Sequence, residues 1–97
     1  MIRHIVLFTW KPDTTDQQKE RVASELSMLS KTLPGIRAYH FGADAGLVTG
    51  NADFGLTADF DDADGYLVYR NHPAHLEVLE KTIGPILDRR VAVQLEI

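Results

Sequence analysis

Cysteine is absent from this chain of 97 residues. That excludes a disulfide framework, a thiolate zinc site, a redox pair and a cysteine nucleophile, and it fits a reducing compartment. Long apolar runs are absent too. None exceeds the four residues of Ile5–Phe8, far short of a membrane span or the core of a secretory signal. Basic clusters are scarce: ten Lys and Arg stand against fourteen Asp and Glu, a net charge of −4, and Arg89-Arg90 is the one adjacent basic pair. Binding to a phosphate backbone needs clustered cations, so nucleic acid is not an expected partner. The expectation is a cytoplasmic protein that meets a small molecule or another protein, not nucleic acid or membrane.

What is present describes a folded domain, with 44% apolar and 25% charged residues and no disordered composition. One domain over residues 1–97 is expected. A chain of this size buries only about 60 to 65% of its unfolded surface, so a partner would add much to its stability.

Residues 3–9 are β-branched and aromatic and stop at Trp10-Lys11-Pro12-Asp13, which predicts a first strand. Thr14 and Thr15, with Gln17 and Gln18 three residues on, form a capping-box pattern, and Val22, Leu26, Leu29 and Leu33 follow at helical spacing. Pro34-Gly35 ends that helix, Ile36–Phe41 reads as a second strand, and the glycine-rich segment 42–51 reads as a loop. Phe54, Leu56, Ala58 and Phe60 alternate as a third strand. Asp61 or Asp62 then caps a helix that carries Tyr66, Leu67 and Tyr69 and ends near His72, before Pro73. A further helix with Leu76, Leu79 and Ile83 runs to Gly84-Pro85, and Val91, Val93, Leu95 and Ile97 alternate as a fourth strand.

The order βαββαβ is the α+β split βαβ arrangement: a four-stranded antiparallel sheet with its helices on one face. Strand one is apolar on both sides, with Val6 and Phe8 opposed to Ile5 and Leu7, and strand two sets Tyr39 and Phe41 opposite Ile36 and Ala38. Strands three and four look one-sided. No spare helix remains to cover the second face, so a second copy of the sheet is expected there, giving a homodimer.

His72-Pro73-Ala74-His75 is the most unusual local feature. It is a poor metal site, because no third ligand stands nearby and the Glu of a zinc-protease helix is missing. It suits acid/base chemistry better. His75 shares a helix face with Leu79, and a bend at His72-Pro73 can bring it to Tyr69; an imidazole base with a phenol donor fits proton abstraction beside a carbonyl. The plainer reading makes His72 a helix cap, His75 a hydrogen-bonded half-buried histidine and Tyr69 the edge of the core. His4 stands in an otherwise apolar strand. Asp59, Asp61, Asp62 and Asp64 do not make a calcium loop, because Phe60 and Asn71 stand where acids are needed. Gly42, Gly46 and Gly50 lack the following Lys and Ser or Thr of a phosphate loop. No metal and no organic cofactor are expected.

Taken together, His4-Ile5-Val6-Leu7-Phe8, Lys11-Pro12, Leu33-Pro34-Gly35 and Tyr69 with His72-Pro73-Ala74-His75 resemble the stress-responsive dimeric α/β-barrel (Dabb) family over nearly the whole chain. The resemblance implies a ferredoxin-like fold and a homodimer whose two sheets form a central barrel. Many members are described only as stress-induced. One plant branch closes linear polyketides by aldol condensation without a cofactor. Its catalytic base carries over to His75, its tyrosine to Tyr69 and its strand-one histidine to His4. Its strand-three histidine falls on Phe54 and its strand-four aspartate, which orients the imidazole, falls on Gln94, so this chain departs from that branch at both positions. The resemblance makes His75 and Tyr69 candidate catalytic residues and His4, Phe54 and Gln94 candidate substrate contacts in a small apolar pocket. It implies first a Dabb protein of unassigned role, then a cofactor-independent cyclase or lyase acting on a carbonyl compound. Relatives in the wider barrel group are cofactor-free monooxygenases, for which Trp10 and Tyr39 are the residues to watch.

Overall fold

In the computed structural model, which describes residues 1–97, alternation along the first strand divides its side chains between two environments. Strand β1 (Ile2–Trp10) turns His4, Val6, Phe8 and Trp10 into the core, while Arg3, Ile5, Leu7 and Thr9 take the opposite face. Thr15 opens helix α1 (Asp16–Thr32) with a complete capping box. Its hydroxyl accepts from the Gln18 N–H at 3.2 Å, and the Gln18 side chain accepts from the Thr15 N–H at 2.9 Å. Val22, Leu26 and Leu29 form the buried stripe of α1, and Gly35, at φ +80°, makes the left-handed turn that follows Pro34.

Strand β2 (Ala38–Ala43) starts and ends two residues later than the sequence suggests. Pairing sets its bounds, not propensity: β2 bonds only to β3 (Phe54–Phe60), from Ala38 opposite Asp59 to Ala43 opposite Phe54. The loop between them is pinned by two acids. Asp53 accepts from the Trp10 N–H at 2.8 Å, and Asp44 holds the Gly46 N–H and the Asn51 amide. Asp62 caps helix α2 (Ala63–Asn71) by accepting from the Gly65 N–H at 2.8 Å. The four acids singled out in the sequence do not converge: Asp59 pairs with Arg3 and Asp61 with Arg37, each bidentate. The Arg3 guanidinium holds the Asp59 carboxyl below its ordinary range.

Helix α3 (Pro73–Val78) is shorter than expected and passes into a π-helical turn over Leu79–Ile83 and a 3₁₀ turn over Gly84–Ile86. Beyond Val78 the wider turn changes the helical spacing. Val78, Thr82 and Ile83 are buried, while Leu76, expected in the stripe, lies exposed. Gly84 permits the turn, since a Cβ there would stand 2.9 Å from the Leu79 carbonyl oxygen.

Strand β4 (Leu87–Glu96) completes the antiparallel sheet in the order β2-β3-β1-β4. Leu7 lies opposite Val91, Ile5 opposite Val93 and Arg3 opposite Leu95. Strand four is therefore one-sided as its sequence suggests, but its apolar side points away from the helices. Leu7, Val91, Val93 and Leu95 keep 43 to 49% of their surface exposed and with Ile5 form a stripe across the two strands. Helices α1, α2 and α3 cover the other face and close a core of Val6, Phe8, Leu26, Leu56, Phe60 and Tyr69, among others.

Candidate functional site

The site is built by a helix break. Pro73 has no N–H and holds His72 in an extended conformation (φ −64°, ψ 134°), so α2 stops and α3 starts in a new direction. The His72 N–H closes α2 on the Tyr69 carbonyl, and its Nδ1 accepts from the Ala74 N–H at 3.1 Å. In an unbroken helix that Ala74 N–H would bond the Arg70 carbonyl. Here it is taken by His72, and the Arg70 carbonyl instead meets Nδ1 of His75 at 3.0 Å. A carbonyl only accepts, so Nδ1 of His75 carries the proton and Nε2 keeps its lone pair free.

The same bend lays His75 against Tyr69, with ring centroids 4.4 Å apart. Tyr69 is buried, and its hydroxyl shares a 2.8 Å hydrogen bond with that of Tyr39 on β2. Within such a pair one phenol donates to the other, and the acceptor retains a proton of its own to donate. Burial pushes the Tyr69 phenol up to about 12, against the opposing pull of its bond to Tyr39, and burial pushes Tyr39 up as well. Both stay protonated near neutrality and act as donors, not bases.

His4 approaches from β1, its ring 5.0 Å from that of Tyr66 and 6.5 Å from that of Tyr69. Its Nδ1 accepts from the Gln94 amide at 2.9 Å, across a register in which the two residues pair directly. The His4 proton therefore sits on Nε2. Burial drives the His4 pKa down to about 4, helped by the positive fields of Arg90 and His75. His75 is lowered for the same first reason, while its bond to Arg70 opposes the shift. Two neutral imidazoles thus border one cavity of about 330 Å³, together with Tyr69, Leu79, Ile83 and Arg90. A recess of about 30 Å³ extends inward toward Leu26 and Leu56.

Residues 2–97 match the family model of the stress responsive A/B barrel domain, Dabb. The chain belongs to the Dabb family. A dimeric ferredoxin-like protein of unknown function from Thermobifida fusca is 46% identical, with a TM-score of 0.92 over 99% of this chain and 90% of that one. A Dabb family protein with a ferredoxin-like fold from Mesorhizobium loti is 20% identical, TM-score 0.83, over 99% and 95% of the two chains. The hydroxynitrile lyase of Passiflora edulis is 19% identical, TM-score 0.85, over 99% and 92%. The last two likenesses concern the fold alone. Curated proteins give no match.

Within this Dabb fold the structure brings His4, Tyr69 and His75 together, and it puts Gln94 behind His4 as the residue that fixes its tautomer. Phe54 lies elsewhere. It packs with Phe8, Trp10 and Phe41 and lines a different cavity, of about 540 Å³, with Trp10 and Asp44. Phe54, the expected substrate contact, does not line the His75 cavity, because it begins β3 opposite Phe8, whereas His4 pairs with Ala58 further along the strand. Trp10 and Tyr39 line no common cavity either. His72 is a helix cap and His75 is hydrogen-bonded and half-buried, with no protein partner for its Nε2. Three features of the site were not assigned these roles in the sequence: the Arg70 carbonyl as partner of His75, the Tyr39 hydroxyl as partner of Tyr69, and Arg90 at the cavity. Of these only Tyr39, an inward aromatic on β2, carries a sequence signal.

Proposed function

We propose that this Dabb protein is a cytoplasmic homodimer, joined through the open face of its sheet, whose helix-side cavity binds a small and mainly apolar ligand without metal or organic cofactor. The observation that carries the reading is the ring of polar groups at the cavity wall. Nε2 of His75 accepts, Nε2 of His4 donates, and Tyr69 lines the same wall with its hydroxyl bonded to that of Tyr39, beside the apolar Leu79 and Ile83. The dimer reading is supported by the apolar stripe on β1 and β4 and by the dimeric description of the Thermobifida fusca relative.

The test uses acetophenone, a small aromatic ketone, as probe. Acetophenone is expected to shift the side-chain resonances of His4 and His75, and His75→Gln or Tyr69→Phe should weaken this while sedimentation still shows a dimer. A His75→Gln protein that unfolds, with wild-type resonances indifferent to the probe, would make His75 structural.

The free lone pair beside a phenol also favours a second reading, a cofactor-independent lyase or cyclase acting on a carbonyl compound. Nε2 of His75 would take a proton from the carbon beside the carbonyl. The C–H electrons would move into the carbonyl, and a phenol O–H would hold the enolate oxygen. Exchange of the acetophenone methyl protons in D₂O measures this step. Loss of exchange in both His75→Gln and Tyr69→Phe is expected, and exchange unchanged by both ends the reading.

A further inference from the structure

Arginine in this chain divides into two groups. Arg3, Arg21 and Arg37 each reach a carboxylate, on Asp59, Glu25 and Asp61. Arg70, Arg89 and Arg90 reach none, although acids outnumber bases by four. Two of those three unpaired guanidinium groups, Arg70 and Arg90, line the cavity of His4, Tyr69 and His75.

Arg90 is placed there by the sheet. Arg90, Ala92 and Gln94 of β4 alternate toward the helices: Gln94 meets His4, Ala92 packs on the core, and Arg90 stands opposite Phe8. It borders both the main cavity and its inner recess. Nothing at the wall neutralises it, since no carboxylate lines the cavity and both imidazoles are uncharged near neutrality. The cavity therefore holds fixed positive charge at an apolar wall. Arg70 and Arg90 are exposed and hydrated, and an occupant that displaces their water pairs them best with a negative group of its own.

We infer that the cavity takes a small carboxylic acid, its carboxylate paired with Arg90 at the mouth and its apolar body lying along Leu79 and Ile83 toward His75. This inference rests on the ligand-binding reading above and adds the charge and class of the ligand. Guanidinium offers a planar pair of donors that matches a carboxylate, and Arg70 adds a second cation at the same rim.

Benzoate and benzamide, nearly equal in shape and different in charge, make the test. Binding to the dimer is followed through the His4 and His75 resonances at low ionic strength. Benzoate is expected to bind about tenfold more tightly than benzamide, as one charge-assisted hydrogen-bonded pair implies. Arg90→Gln should erase that preference, bringing benzoate down to the affinity of benzamide, and added salt should weaken benzoate alone. Equal binding of the two probes in the wild type, or a preference that survives Arg90→Gln, overturns the carboxylate inference while the cavity reading stands. If neither probe moves either histidine, both fall.

Discussion

Replacing Val93 with lysine places an ammonium in the middle of the exposed stripe, opposite Ile5 and between Val91 and Leu95. Val93 keeps 48% of its surface exposed in the protomer, so a dimer joined through this face hides roughly half a valine, about 0.8 kcal/mol of apolar burial. A two-fold interface presents each residue twice, which makes the loss about 1.5 kcal/mol per dimer. The two ammonium groups must also be drawn out of water, or their stems bent to the rim, at about 2 kcal/mol each. The total is about 5 kcal/mol, a weakening of more than a thousandfold in the dimer constant. Val68→Lys is the control, because Val68 is similarly exposed but lies on α2, away from the sheet. Sedimentation velocity over a micromolar dilution series should show Val93→Lys as a monomer and both wild type and Val68→Lys as dimers. A Val93→Lys protein that dissociates no more readily than the control refutes the sheet-face dimer.

Three further outcomes follow from the site. His4 has a pKa of about 4 folded and an ordinary 6.5 unfolded; between those values the unfolded chain binds more protons, so stability is full above about pH 6.5 and falls as pH drops toward 4. Solvent in the open cavity screens part of the effect, which leaves about 2 kcal/mol. Urea unfolding at pH 7 and at pH 4.5 checks this, and equal stability at the two would contradict it. Tyr69→Phe strands the Tyr39 hydroxyl and should cost about 1 to 2 kcal/mol, whereas the Tyr39→Phe/Tyr69→Phe double variant should cost less than the sum of the singles; additive costs would show that the 2.8 Å bond carries no coupling. Gly84→Ala drives a Cβ to 2.9 Å from the Leu79 carbonyl and should destabilise by about 1 to 3 kcal/mol, with movement of the Leu79 and Ile83 resonances. A variant as stable as wild type would mean that the π turn adjusts freely.

Sequence pattern was most informative where one element decides its own fate. Thr15-x-x-Gln18 and Asp62 cap their helices as written, Pro73 breaks its helix, and β-branched alternation marks β1 and β3. It was least informative where the outcome depends on a partner element. Alternation along β4 shows that Val91, Val93 and Leu95 share a side, but only pairing with Leu7 and Ile5 shows which side. The ends of β2 follow the reach of β3. Phe54, a substrate contact by the resemblance, has its ring packed at the Trp10 end of the sheet and does not line the His75 cavity. Asp44 and Asp53 pin the glycine-rich loop through partners distant or irregular in sequence, such as the Trp10 N–H for Asp53, which no local pattern marks.

The orientation of His75 shows the same division and bears on its chemistry. The plant cyclase branch is expected to orient its base with a strand-four aspartate, whereas this chain has Gln94, and Gln94 serves His4 instead. A main-chain carbonyl, that of Arg70, holds Nδ1 of His75 in its place. A carbonyl fixes the tautomer as well as a carboxylate does, but it brings a dipole and not a charge, so it gives less support to an imidazolium. Arg90 and Arg70 add fields that oppose that imidazolium further. Left to its own residues, the site therefore favours His75 as a neutral acceptor over His75 as a strong base. A carboxylate held by Arg90 would cancel that opposing field and restore, from the ligand's side, the negative charge that Gln94 does not provide. On this physical account, binding of an anionic ligand and any proton transfer at His75 are coupled.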